Sequence, residues 1–172
     1  MLLIWPFGMK SITLFLRALS PSGKDSKADL TFNQLYQAYQ ESKTPKIHEL
    51  FFFHDTRLDL LKLLSRSSRY EKVIAFGHED VFDEESETQF AVTSFSIADT
   101  IAIVFRGTDS SLIGWKEDFN LSYLEANPSQ KLAAPYLQDM EQSYNLPLIL
   151  SGHSKGGNLP FTQLASRHSQ RK

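Results

Sequence analysis

The sequence predicts an α/β fold, a mixed β-sheet with flanking helices, and three observations carry that prediction. Apolar, β-prone runs alternate with segments of helical periodicity, the pattern of layered α/β domains. Two of the runs, residues 89–97 and 100–105, are separated only by Ala98 and Asp99, which reads as a hairpin. A third, at 146–150, leads directly into Ser151-Gly152-His153-Ser154-Lys155-Gly156-Gly157-Asn158, a glycine-rich strand-to-helix turn.

The remaining elements follow in order. Residues 1–26 read as an N-terminal segment and linker: two short apolar runs split by Lys10, then a polar stretch, Pro21-Ser22-Gly23-Lys24-Asp25-Ser26-Lys27. No positive charge precedes the first run, and neither run approaches the ~20 apolar residues of a membrane span. The expectation is therefore a cytoplasmic protein without membrane association. Thr31 and Gln34 form a capping-box pair for a helix over about 31–41, with Phe32, Leu35, Tyr36 and Tyr39 at helical spacing. Thr56 and Asp59 start a second helix over about 57–66, striped by Leu58, Leu61 and Leu64. Residues 72–77 read as a short strand and the acidic 81–88 as an exposed turn. Asn127 and Pro128 cap a helix that runs to about Tyr144, interrupted by Pro135, which should kink it or delay its start. Residues 147–151 form the last strand.

The composition supplies a core and excludes several functions. Apolar residues make up 41% of the 172, with 13 Phe, enough for one domain. The 18 basic and 20 acidic residues give a net charge of −2 with no strongly basic segment, so no nucleic-acid partner is expected. The absence of cysteine rules out disulfides, thiolate catalysis and Cys-ligated zinc. His48, His54 and Asp55, and also His78-Glu79-Asp80, lack a ligand set at recognisable spacing; they read as surface polar residues with a helix cap at Asp55, and no metal or cofactor is expected. Phe51, Phe52 and Phe53 read as a buried strand or core anchor.

Ser154 is the leading candidate for chemistry. A serine at a tight turn after a strand has its hydroxyl pushed out of the sheet, the geometry of a nucleophile elbow. Gly152 and Gly156 leave room where a Cβ would crowd the turn. An ordinary glycine-rich, anion-binding turn is the competing reading. The second candidate set is Phe105-Arg106-Gly107-Thr108-Asp109 at the end of the strongest strand. There the Thr108 N–H and hydroxyl, with the Lys155 N–H, are candidate donors to an oxyanion; an ordinary strand-ending turn is the alternative. The Lys155 side chain is expected to face solvent. His153 points away from Ser154. His168, the sole histidine after Ser154, lies roughly 20 Å along a continuing helix, whereas a base must come within about 3 Å. No Asp or Glu follows Ser154.

The strings Ile103-Val104-Phe105-Arg106-Gly107-Thr108, Gly114-Trp115-Lys116-Glu117-Asp118-Phe119-Asn120 and Gly152-His153-Ser154-Lys155-Gly156-Gly157-Asn158 together resemble a bacterial family of lipase class 3-like α/β-hydrolases, over about residues 27–158. The resemblance implies Ser154 as nucleophile, Thr108 and Lys155 as the oxyanion hole, and Gly152, His153, Gly156 and Gly157 as the elbow. It also implies a lid-like loop over 110–117, with Trp115 as an apolar contact beside the site. The implied domain spans 27–159, the N-terminal portion of an α/β-hydrolase-like sheet whose C-terminal half is missing, with a divergent tail at 160–172. The implied function is a serine hydrolase lineage acting on an acyl ester, catalytically incomplete because acid and histidine are absent. A non-catalytic fragment or pseudoenzyme is the alternative, and a thioesterase or acyltransferase a further one. The expected partners are a small acyl or ester substrate and, through an exposed sheet edge, other copies of the chain.

Overall fold

The Ala98–Asp99 hairpin forms the centre of the sheet. The structure is a computed structural model that describes residues 29–41, 54–108, 112–120 and 126–160. Its elements run β1 (Leu30–Thr31), α1 (Phe32–Glu41), α2 (His54–Arg66), β2 (Ile74–Asp83), β3 (Thr88–Ile97), β4 (Thr100–Phe105), α3 (Leu112–Asn120), α4 (Pro128–Ser143) and β5 (Leu148–Gly152). The five strands lie in the order β1-β2-β3-β4-β5. The first three pairings are antiparallel and β4–β5 is parallel, so the sheet is mixed, as expected. The expectations for residues 1–26, Phe51, Phe52, Phe53, His48 and His168 lie outside the described residues.

Strand alternation sends side chains to two cores. On one face Ala75, Phe95, Ala102 and Val104 meet Phe32, Leu35 and Tyr39 of α1 and Leu61 of α2. On the other, Phe76, Phe90, Val92, Ile101, Ile103 and Phe105 meet Ala133, Tyr136, Leu137 and Met140 of α4. The capping pair predicted for α1 is present: the Thr31 N–H donates to Gln34 Oε1 at 2.9 Å and the Gln34 N–H to Thr31 Oγ1 at 3.3 Å. Asn127 caps α4 with Gln130 in a reciprocal box.

Four expectations about elements change. β2 does not stop at Gly77. That residue has φ +56, and the pairing with β3 shifts register between Phe76 and Glu79, so the glycine marks a bulge after which the strand resumes. The exposed turn shrinks to 84–87, where Asp83 accepts from the Glu85 and Ser86 N–H groups. α4 runs through Pro135 without interruption. An interior proline costs about 3 kcal/mol, but each large apolar side chain buried contributes about 1.5–3 kcal/mol. With Tyr136, Leu137 and Met140 all buried on one face, packing prevails. Finally, α2 begins two residues before Thr56.

The Tyr136 hydroxyl donates to the Gly77 carbonyl at 2.6 Å and shares a 2.7 Å hydrogen bond with Ser94. Burial pushes this phenol well above its ordinary pKa.

Candidate functional site

β4 and β5 leave the sheet side by side. Their parallel register pairs Val104 with Ser151 and Phe105 with Gly152, so the chain segments that follow, 106–108 and 153–155, emerge at the same edge. The two meet closely. A Cβ on Gly107 would collide with the His153 carbonyl, and one on Gly156 with the Phe105 carbonyl. Ser154 sits at the crossing with φ +57, the left-handed region that residues with a Cβ avoid, and it is exposed. Residues 155–160 are helical. The Gly156 N–H donates to the His153 carbonyl at 3.1 Å and the Gly157 N–H to the Ser154 carbonyl at 2.9 Å. The strand-to-helix turn predicted for 151–158 is therefore present, with His153 also exposed.

Lys155 does not face solvent. Its side chain is 1% exposed, and its ammonium donates to Glu117 Oε2 and to the Gln89 carbonyl, each at 2.6 Å. Glu117 is fully buried and also accepts the Gln89 N–H at 2.9 Å and the Ser129 N–H at 3.0 Å. One carboxylate thus ties together the start of β3, the first turn of α4 and the residue after Ser154. The expectation failed because the motif locates the backbone of Lys155 while the destination of its side chain depends on α3, which lies far off in sequence.

A second buried ion pair begins at Arg106, the residue before Gly107. Arg106 donates to Asp80 Oδ2 at 2.9 Å, both side chains being almost fully enclosed. Asp80 and His78, expected at the surface, are buried in β2. His78 Nδ1 lies 3.1 Å from the Val92 carbonyl and 2.9 Å from Thr93 Oγ1. Among the described residues, no cluster of three or more His, Asp or Glu is placed to hold a metal ion.

Residues 112–117 belong to α3 and are not the lid-like loop expected over 110–117. Trp115 and Phe119, one helical turn apart, are 59% and 66% exposed. The Thr108 hydroxyl donates to Asp118 Oδ2 at 2.6 Å, so it is engaged by α3. The consecutive acids Glu117 and Asp118 therefore grip the two segments that cross at Ser154. Sequence reasoning missed Glu117, Asp80 and Gln89. Nothing local distinguishes a buried Glu-Asp pair from the solvated face of a helix, where acids usually lie.

The family model described as Mbeg1-like matches residues 64–171, well over half of the chain, and the chain belongs to that family. This corrects the lipase class 3 resemblance: the family is a different one, and the match continues past the Ser154 turn instead of ending there. The functional readings that rested on the resemblance fall with it. The match supports neither acyl-ester hydrolysis, nor the thioesterase and acyltransferase variants, nor a non-catalytic fragment. No curated protein and no solved structure matches the chain. No helix among the described residues is long and apolar enough to cross a membrane.

Proposed function

We propose that this Mbeg1-like chain binds a small molecule bearing a carboxylate or carbonyl oxygen at the Ser154 turn, with the Ser154 hydroxyl and the main-chain N–H groups of Thr108 and Lys155 as its contacts. The observation that carries this reading is the left-handed, exposed serine at φ +57. Strained residues of this kind cluster at ligand and switch sites. Its place supports the same reading, because ligands of open α/β sheets bind outside the carboxyl ends of parallel strands, and β4 and β5 are the parallel pair. Gly152 and Gly156 let the backbone approach closely here, His153 and Gly157 complete the turn, and Trp115, exposed on α3, is the candidate apolar contact for the rest of the ligand.

Titration of the isotope-labelled chain with butyrate, followed by amide NMR, tests the proposal. The expected result is saturable shifts confined to residues 107–108 and 153–157, weakened in Ser154→Val. Shifts scattered over the surface, or equal shifts in the variant, would sink it.

A further inference from the structure

We infer that the buried Lys155–Glu117 ion pair is the positioning device of the Ser154 turn: it holds Ser154 in its left-handed conformation from the far side of the main chain. The inference rests on reading this turn as the binding site, and it adds the residue that shapes it.

Three observations converge. A left-handed serine persists only where its surroundings over-determine it, so something must hold φ at +57. The next residue, Lys155, is immobilised: its ammonium is bound at 2.6 Å on two sides, and its side chain is 1% exposed. The anchor is itself fixed, because Glu117 receives main-chain N–H groups from Gln89 and Ser129, on β3 and α4. A buried pair adds little net stability over apolar side chains of similar volume. What it does supply is a point of attachment with defined geometry, one residue after Ser154. The competing explanation is that the close crossing at Gly107 and Gly156 alone imposes the strain. In that case the pair is a passive filler.

The charge-neutral double variant Glu117→Gln/Lys155→Met separates the two, since it leaves no buried ion without a partner. In the ligand-free, isotope-labelled full chain, the intraresidue HN–Hα coupling and the Cβ shift of Ser154 report the sign of φ. The expected result is a left-handed signature in the parent and its loss in the double variant, while the amides of β3 and β4 stay dispersed. A folded double variant that keeps the signature overturns the inference. So does a double variant that does not fold, because the pair would then support the whole sheet. A thermodynamic cycle gives a second readout. Ser154→Gly removes the strain, so it should favour folding by roughly fivefold in the parent, and by markedly less in the double variant. Equal effects in both backgrounds count against the pair. These measurements contain no ligand, so a failed butyrate titration leaves them intact, and their failure leaves the binding proposal standing.

Discussion

Two adjacent glycines, replaced one at a time by alanine, should shift stability in opposite directions. Both Gly156 and Gly157 lie in the helical segment 155–160. Alanine is favoured over glycine in a helix by about 0.8–1.0 kcal/mol, so propensity alone predicts two stabilised proteins. Packing breaks the symmetry. A Cβ on Gly156 would run into the Phe105 carbonyl and come within 2.8 Å of the Arg106 carbonyl carbon and oxygen. All of these are main-chain atoms of residues 1–2% exposed, so nothing flexible can swing aside. Overpacking of this kind costs about 1–3 kcal/mol, occasionally more, and main-chain obstruction places Gly156→Ala at the upper end. Net destabilisation should be about 1–2 kcal/mol. At Gly157 the nearest atoms are the Gly152 carbonyl oxygen and carbon, 3.4 and 3.6 Å from the added Cβ, which is ordinary contact. Gly157→Ala should be neutral to about 1 kcal/mol more stable. Urea unfolding followed by circular dichroism reads both. With slopes of about 1–3 kcal/mol per M, Gly156→Ala should lower the midpoint by roughly 0.5–1 M, while Gly157→Ala leaves it unchanged or raises it. Equal shifts in the two variants, or a Gly156→Ala midpoint at or above the parent's, would refute the close-crossing geometry.

Other outcomes follow from the same contacts. Asp80→Asn leaves the Arg106 guanidinium buried without its counter-charge and should cost about 3–5 kcal/mol in urea titrations, while Asp80→Asn/Arg106→Met should recover most of that loss; a double variant no better than the single would count against the pair. Burial raises the folded pKa of Tyr136 above its ordinary value of about 10. Its contribution is therefore complete below about pH 10 and declines as the pH climbs from there toward the folded value. Tyr136→Phe should flatten that alkaline decline, and a parallel decline in the variant would assign it to other groups. Ile149 is 53% exposed on β5, the last strand of the sheet among the described residues. Open edges invite pairing, so Ile149→Lys should reduce any concentration-dependent self-association seen by sedimentation; unchanged association would place the contact elsewhere.

The legible parts of this fold are those written in local pattern. The hairpin around Ala98 and Asp99, the Thr31–Gln34 cap, the Asn127–Pro128 start and the strand before the Ser154 turn all rest on residues within a few positions of each other. The misread parts depend on partners distant in the chain. Gly77 looks like a terminator, and becomes a bulge because β3 pairs on both sides of it. Pro135 looks like a break, and its helix continues because Tyr136 and Met140 are held by the sheet. Lys155 looks like a surface cation, and is buried because Glu117 lies 38 residues away in the chain.

The same division explains why the backbone of the candidate site was readable and its chemistry was not. The glycine-rich string encodes a geometry: a serine pushed out where a parallel strand meets a helix, with Gly152 and Gly156 clearing the way. Many chemistries can be grafted on one geometry, so the string alone cannot select among them. Selection comes from the groups that surround the turn. Here those are the Lys155–Glu117 pair, Asp118 on the Thr108 hydroxyl, and the Arg106–Asp80 pair. The two ion pairs are satisfied internally and Asp118 is engaged by a neutral hydroxyl, so on the proposed reading the exposed Ser154 hydroxyl and the neighbouring main chain are the groups left to meet the ligand. If the turn binds a ligand's oxygen as proposed, it does so through neutral donors, and changes at Ser154 should alter affinity with little dependence on salt, whereas attraction by an exposed cation would weaken steeply as salt rises.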